Sequence, residues 1–140
     1  DKNIVAAGDC TAFNSSLYKR MIRLESVQNA MDQAKAAAAF LNKEPQPYDA
    51  LPWFWSEQFD VKLQIAGLSQ DNDSIIIRGN PEMGRSFAVF YFSGKTLLSV
   101  DAINRPAEFM AGKRLCGKDL PFDENLLSDE SISIKELLRL

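Results

Sequence analysis

The sequence predicts an α+β protein: an antiparallel β-meander of about four to five strands with covering helices, preceded by a strand and a long helix. Three observations lead to this fold class. Residues 61–100 hold short apolar runs, several of them alternating with polar residues, that are separated by short loops. Residues 26–41 repeat apolar side chains at helical spacing. Residues 4–7 form an unbroken apolar run, which is typical of a strand buried on both faces.

The bulk composition limits both the architecture and the partners. With 140 residues, of which 46% are apolar, the chain can bury one compact core plus appendages. A net charge of -3 provides no extended cationic surface for nucleic acid. The longest apolar windows, such as residues 87–92, are too short to cross a bilayer. We therefore expect a cytoplasmic protein that binds neither nucleic acid nor membrane.

The cysteine and histidine content excludes several chemistries. The chain has no histidine, and its two cysteines, Cys10 and Cys116, form no CxxC motif. Serine–histidine or cysteine–histidine nucleophiles, the usual zinc sites and four-thiolate iron–sulfur clusters are therefore excluded. We predict no catalytic residue and no metal ligand in this chain. Both cysteines are expected to be small buried side chains rather than a disulfide or a reactive thiol.

The first nine residues predict a strand that needs neighbours. Ile4 to Ala7 would form it, and Gly8 and Asp9 would follow at its carboxyl end, where ligands bind in parallel sheets. No other segment nearby could supply the rest of such a sheet. We therefore expect this chain to be part of a longer protein.

A long helix and a proline-containing connector follow. Ser26 is the predicted N-cap, and Asn42-Lys43 the predicted end. The predicted apolar face of this helix consists of Val27, Ala30, Met31, Ala34, Ala38 and Leu41. Pro45 and Pro47 indicate an extended connector. The predicted organisation is residues 1–46, residues 47–118 with the meander, and an acidic tail, 119–140, with a short terminal helix.

The meander and its covering helix are predicted from period and turn signals. Strands are predicted at 61–65, 74–78, 87–92 and 96–100, and a helix begins at Arg105-Pro106. Two motif-like segments are rejected. Residues 79–86 resemble a phosphate loop, but they precede a strand instead of a helix. Residues 71–73 lack the glycine and distal glutamate of a calcium loop.

Three ordered segments carry a family resemblance. They are Ile4-Val5-Ala6-Ala7-Gly8-Asp9-Cys10, Arg23-Leu24-Glu25-Ser26-Val27-Gln28-Asn29-Ala30 and Pro52-Trp53-Phe54-Trp55-Ser56-Glu57-Gln58-Phe59-Asp60. Together they resemble the carboxyl-terminal third of NADH-dependent flavoprotein ferredoxin reductases, which include putidaredoxin reductase, rubredoxin reductases and dioxygenase reductases. The resemblance spans roughly residues 3–115. It implies that residues 1–46 are left over from an FAD-binding α/β domain and that 47–118 form the reductase carboxyl-terminal (interface) domain.

The resemblance also implies roles for individual residues. Asp9 would bind the ribityl chain of FAD, and Gly8 would let the backbone approach. The backbone amide of Val27 would meet the pyrimidine edge of the isoalloxazine ring, where the helix dipole stabilises negative charge. The residues that frame this turn are Glu25, Ser26 and Gln28. Trp55 would shield the ring, with Trp53 and Phe54 beneath it.

The family's cofactors and partners follow from the same resemblance. The intact parent would take hydride from NAD(P)H, through a domain missing here, onto FAD, and would pass electrons to an iron–sulfur ferredoxin or to rubredoxin. Two groups of basic residues would attract an acidic partner. One group consists of Lys19, Arg20 and Arg23, and the other of Lys113 and Arg114. We expect this chain alone to be inactive and to retain no FAD. A free-standing interaction or dimerisation module, including a homodimer, stays an alternative.

Overall fold

The structure, a computed structural model, describes residues 3–120 and 123–139. Residues 1–2, 121–122 and 140 belong to the predicted leading segment and tail and lie outside the described residues. The chain divides into two compact units, Asp1–Phe54 and Trp55–Leu140. A search of the described residues finds no helix with the length and apolar character that a membrane span needs.

The first unit contains a hairpin and a helix. Strand β1 (Ala12–Ser15) pairs antiparallel with β2 (Arg20–Arg23), and helix α1 spans Val27–Leu41. The predicted cap is confirmed, since the Ser26 side chain accepts a hydrogen bond from the Asn29 amide. The sequence of residues 10–23, with Asn14-Ser15-Ser16 as a turn signal, predicts an irregular stretch, and the hairpin corrects that expectation. Its charged residues lie on a two-stranded ribbon whose Ile22 is buried and whose other side chains in β2 are at least partly exposed.

The strand predicted at Ile4 to Ala7 is also corrected. These residues form no strand among those described, and Ile4 is 73% exposed. A strand buried on both faces needs hydrogen-bonding neighbours on each side, and the described residues place none there. The apolar run therefore has no regular secondary structure before Gly8.

Helix α1 buries a different face from the predicted one. Val27, Met31 and Leu41 are 56%, 57% and 62% exposed. The buried side chains of the helix are polar: Gln28, Asn29 and Gln33. The apolar spacing predicted the helix correctly but predicted the wrong buried face. The neighbouring segments present backbone amides and carbonyls, and the side-chain amides of the helix form hydrogen bonds with them.

The second unit is built on a five-stranded antiparallel sheet. Its strands are β3 (Trp53–Gln58), β4 (Val61–Gly67), β5 (Ser74–Arg78), β6 (Phe87–Ser93) and β7 (Thr96–Ile103). The spatial order is β3-β4-β7-β6-β5. The predicted α+β class is thereby confirmed. Consecutive strands pair within β3–β4 and within β5–β6–β7, while the connection from β4 to β5 passes over two strands.

Helices cover one face of this sheet. Helix α2 (Pro106–Leu115) packs on β4 and β7, and a 3₁₀ helix (Glu124–Leu127) contacts β5 and the terminal helix α3 (Ile134–Leu137). The fully buried core side chains include Phe90, Phe92, Leu97, Val100, Leu127 and Leu137. The opposite face stays partly open, with Ile75 54% exposed.

The two cysteines occupy different environments. Both are free thiols; Cys10 is exposed and Cys116 is partly buried. Burial raises the pKa of the Cys116 thiol to about 12. The expectation of two buried side chains is therefore wrong for Cys10, because the loop that carries it lies at the surface of the first unit.

Candidate functional site

The loop at Gly8 is fastened to helix α1. The Gly8 amide donates a 2.7 Å hydrogen bond to Oε1 of Gln33, and the Thr11 amide donates to the Gly8 carbonyl at 3.0 Å. Gly8 has a φ of 87°, a left-handed conformation that favours glycine. A Cβ at Gly8 would lie 3.8 Å from that of Ala30, so the loop lies directly against the helix.

Asp9 follows this loop and is exposed. Its carbonyl accepts a hydrogen bond from Nη1 of Arg23 at 3.1 Å, and the same guanidinium pairs with Glu25. The backbone at Asp9 is therefore held while its side chain remains at the surface. Glu25 is thus an exposed side chain that is paired with Arg23 next to the Asp9 backbone.

The amino-terminal turn of α1 begins at the exposed Val27 and carries no acidic side chain. Ser26 caps the turn, and no acidic residue lies within it. Its first amides, starting at the exposed Val27, have no acceptor inside the helix. The Asn29 amide is paired with the Ser26 hydroxyl, so the amides of Val27 and Gln28, together with the helix dipole, favour an electron-rich group at this end.

Two buried amides position the segments on either side of that turn. Asn29 is fully buried; its Nδ2 donates to the Leu24 carbonyl at 3.1 Å, and its Oδ1 accepts from the Tyr48 hydroxyl at 2.9 Å. Gln28 is buried as well, and its Oε1 accepts from the Trp53 amide at 3.4 Å. Burial raises the pKa of Tyr48, so this hydroxyl keeps its proton and remains a donor.

Of the predicted site residues, six share the first unit: Gly8, Asp9, Glu25, Ser26, Val27 and Gln28. Trp55 belongs to the second unit, on β3, and is 44% exposed. Alternation along the strand places Trp53 on the same face as Trp55 and Phe54 on the opposite one. Phe54 therefore does not lie beneath Trp55 as expected.

Sequence reasoning missed Gln33, Asn29, Thr11 and Tyr48. The available signal was three amide side chains, Gln28, Asn29 and Gln33, on one face of an alanine-rich helix. Gln33 and Thr11 also line a cleft of about 290 Å³ with Ala36, Ala37, Phe40 and other apolar residues. None of the predicted site residues lines this cleft, so it flanks the Gly8 loop without including Asp9.

Comparison with known proteins identifies the family. Residues 53–138 match the model of the reductase C-terminal family. The chain is 45% identical over 138 residues to putidaredoxin reductase CamA of Pseudomonas putida, covering 99% of this chain and 32% of that protein. It is 40% identical to rhodocoxin reductase of Rhodococcus erythropolis, covering 96% of this chain and 31% of that protein. The chain thus spans about a third of the length of these curated relatives.

Solved structures agree with the sequence matches. The covalent putidaredoxin reductase–putidaredoxin complex superimposes with a TM-score of 0.86 at 44% identity, covering 95% of this chain and 32% of that one. The ferredoxin reductase for the CYP199A2 system of Rhodopseudomonas palustris superimposes with a TM-score of 0.82 at 39% identity, covering 93% of this chain and 32% of that one. The chain therefore belongs to the reductase C-terminal family and is a carboxyl-terminal fragment whose relatives are ferredoxin reductases.

Proposed function

We propose that the parent of this chain is a flavoprotein reductase that moves electrons from NAD(P)H through FAD to a ferredoxin or rubredoxin. This chain would cap the flavin and form part of the surface where the partner docks. The observation that carries the proposal is the attachment of the Gly8–Asp9 loop to α1 by the Gly8–Gln33 hydrogen bond. It brings an exposed carboxylate and a capped helix turn into one compact unit.

The residues of the first unit fit the flavin that the family implies. The exposed carboxylate of Asp9 can accept hydrogen bonds from sugar-alcohol hydroxyls. The first-turn amide of Val27 can donate to a ring carbonyl, and no acidic side chain in that turn opposes negative charge there. The chemistry that bound FAD supplies is acceptance of hydride and release of single electrons. The residues of this chain bind and orient it.

Trp55 is assigned a shielding role in this proposal. An indole excludes water from a flavin ring by covering apolar surface. Trp55 is exposed over 44% of its surface in this chain, so it retains area for such a contact.

The partner surface is proposed at the end of α2. Lys113 and Arg114 lie exposed in the last turn of this helix. Arg23, from the other basic group, is occupied by Glu25 and by the Asp9 carbonyl. We favour Lys113 and Arg114 as the group that attracts an acidic iron–sulfur protein because they are adjacent and exposed in one helix turn, and exposed charges mainly increase the rate of association. The Lys113 ammonium also lies 5.7 Å from the centre of the Phe109 ring.

The flavin assignment is tested in the full-length reductase with Asp9→Ala. Loss of a charged hydrogen bond is worth about 1.5–3 kcal/mol, so FAD should bind roughly 10- to 150-fold more weakly by fluorescence titration. Asp9→Asn should give an intermediate loss. Glu82→Gln, which removes an exposed charge in the loop between β5 and β6, is the matched control. Unchanged FAD affinity in Asp9→Ala would refute the assignment.

The docking assignment is tested by charge reversal. Lys113→Glu with Arg114→Glu should raise KM for an acidic [2Fe–2S] ferredoxin, with a weaker salt dependence, and should leave hydride transfer from NADH unchanged. Lys43→Glu, at the end of α1, serves as the charge control. Equal KM values for the double variant and the control would show that the partner docks elsewhere.

A further inference from the structure

A buried glutamine side chain holds the loop that presents Asp9. Gln33 is 7% exposed, and its Oε1 lies 2.7 Å from the Gly8 amide nitrogen and 2.7 Å from Oγ1 of Thr11. The Thr11 hydroxyl also lies 2.8 Å from the Gly8 carbonyl. The Thr11 hydroxyl can donate its proton to either of these oxygens. Among the described residues, the acceptor of the Gly8 amide is Oε1 of Gln33.

We propose that Gln33 is a positioning residue for FAD binding: its side-chain oxygen fixes the Ala7–Gly8 peptide, on the amino-terminal side of the Gly8 hinge, and so helps to direct the Asp9 carboxylate. This inference rests on the proposed function, in which Asp9 binds the ribityl chain. Gln33 itself lies two turns into α1 from the capped end and need not touch the cofactor.

The chemistry of the contact explains why an amide stands at position 33. Gly8 is buried, and a buried backbone N–H needs an acceptor. A neutral carbonyl oxygen has two lone pairs, so it can serve both Gly8 and Thr11 without bringing a buried charge. Leucine would fill a similar volume but would leave the Gly8 amide unpaired.

The hydrogen bond at Gly8 affects Asp9 because it restricts the backbone conformation of the glycine that precedes Asp9. A glycine at φ 87° has other accessible conformations of similar energy. Without an acceptor at Gln33, the Ala7–Gly8 peptide would lose its hydrogen bond, and the Gly8 turn would be held only through its carbonyl, by Thr11. The Asp9 carboxylate would then sample a wider range of directions, and binding would lose part of the benefit of preorganisation.

A first experiment uses the 140-residue protein without flavin. Gln33→Leu should accelerate hydrogen exchange at the Gly8 amide, while Gln33→Glu should retain protection because it keeps an acceptor. Tyr48→Phe is the matched control, since it removes one hydrogen bond to the same face of α1, at Asn29. Equal Gly8 exchange in Gln33→Leu and Tyr48→Phe would overturn the proposed contact.

A second experiment measures FAD dissociation constants in the full-length reductase. Gln33→Leu should weaken FAD binding about three- to tenfold, the range of one net hydrogen bond. Lys35→Met, which removes an exposed ion pair with Asp32 on the same helix, should not. In an Asp9→Ala background, Gln33→Leu should cause no further loss, because its effect passes through Asp9.

The outcomes separate this inference from the function on which it rests. If Asp9→Ala weakens FAD binding and Gln33→Leu does not, the positioning role is wrong and the flavin assignment survives. Additive losses in the double variant would also overturn the positioning role. If Asp9→Ala has no effect, the flavin assignment fails, and the positioning role fails with it.

Discussion

Arg78 and Glu108 form an ion pair that is almost wholly buried between β5 and α2. The Nε of Arg78 lies 3.2 Å from Oε1 of Glu108, and the two side chains are 4% and 6% exposed. The remaining nitrogens of Arg78 donate to three backbone carbonyls, those of Leu127, Asp129 and Ile132, at 2.6–3.0 Å. One guanidinium thus joins the sheet, α2 and the carboxyl-terminal segment.

Arg78→Met should strongly destabilise the second unit. It leaves a buried carboxylate without its main partner and three carbonyls without a donor, and breaking a buried pair costs about 3–5 kcal/mol. Denaturant unfolding measures this loss. Arg85→Met is the control, because the Arg85–Asp60 pair is 68% and 73% exposed and such pairs are worth about 0–1 kcal/mol. Similar losses for the two variants would contradict the structural role of Arg78.

Local sequence signals predicted much of this fold. Alternation identified β4, the composition of 74–78 and 87–92 identified β5 and β6, and Ser26 identified the start of α1. Strand β3 was not predicted, because its aromatic residues were interpreted as side chains that pack near the flavin ring. Strand order was also out of reach, since the pairing of β4 with β7 joins residues far apart in sequence, such as Leu63 and Ile103.

The candidate site was predicted less completely. Ser26 follows a local capping rule, and the sequence suffices to find it. Gln33 serves Gly8, which lies 25 residues away, and no local pattern encodes that distance. A polar residue on a helix is normally expected to face solvent. The burial of Gln28, Asn29 and Gln33 therefore became evident only from the packed segments around α1.

Gly112 lies where α2 packs tightly on the sheet. A Cβ there would lie 2.8 Å from Cγ2 and 2.9 Å from Cβ of Val100, and 3.2 Å from Cβ of Ala66. Gly112→Ala should therefore destabilise the second unit by about 1–3 kcal/mol through overpacking, despite the better helix propensity of alanine. Gly84, with nothing within 4 Å of its added Cβ, is the control; Gly84→Ala should change the free energy of unfolding by less than about 0.5 kcal/mol. Thermal or urea unfolding compares them.

Tyr91 and Asp101 form a polar pair on adjacent strands, with the Tyr91 hydroxyl donating to Oδ2 of Asp101 at 3.0 Å. Burial, followed by the charge of Asp101, raises the pKa of Tyr91 from 10.0 to about 12. Because the folded pKa exceeds the unfolded one, the phenol contributes stability below about pH 10 that is lost as the pH rises through 12. Ultraviolet titration of tyrosinate should show this late step, and Asp101→Asn should move it to lower pH. A step that is unmoved in Asp101→Asn, or whose amplitude is undiminished in Tyr91→Phe, would contradict the assignment.

The two thiols should react at very different rates with a disulfide reagent at mildly alkaline pH. Thiolate is the reactive form, and the pKa of about 12 that burial gives Cys116 leaves little thiolate there. Its Sγ also lies against the Ala66 carbonyl at 3.7 Å, inside the second unit. Cys10 is exposed on the loop beside Asp9. The Cys10 thiol should therefore react rapidly, and the Cys116 thiol only after denaturant is added. Cys10→Ser should abolish the rapid phase and leave the slow phase unchanged. Two rapid thiols in the native protein would show that the packing around Cys116 opens readily.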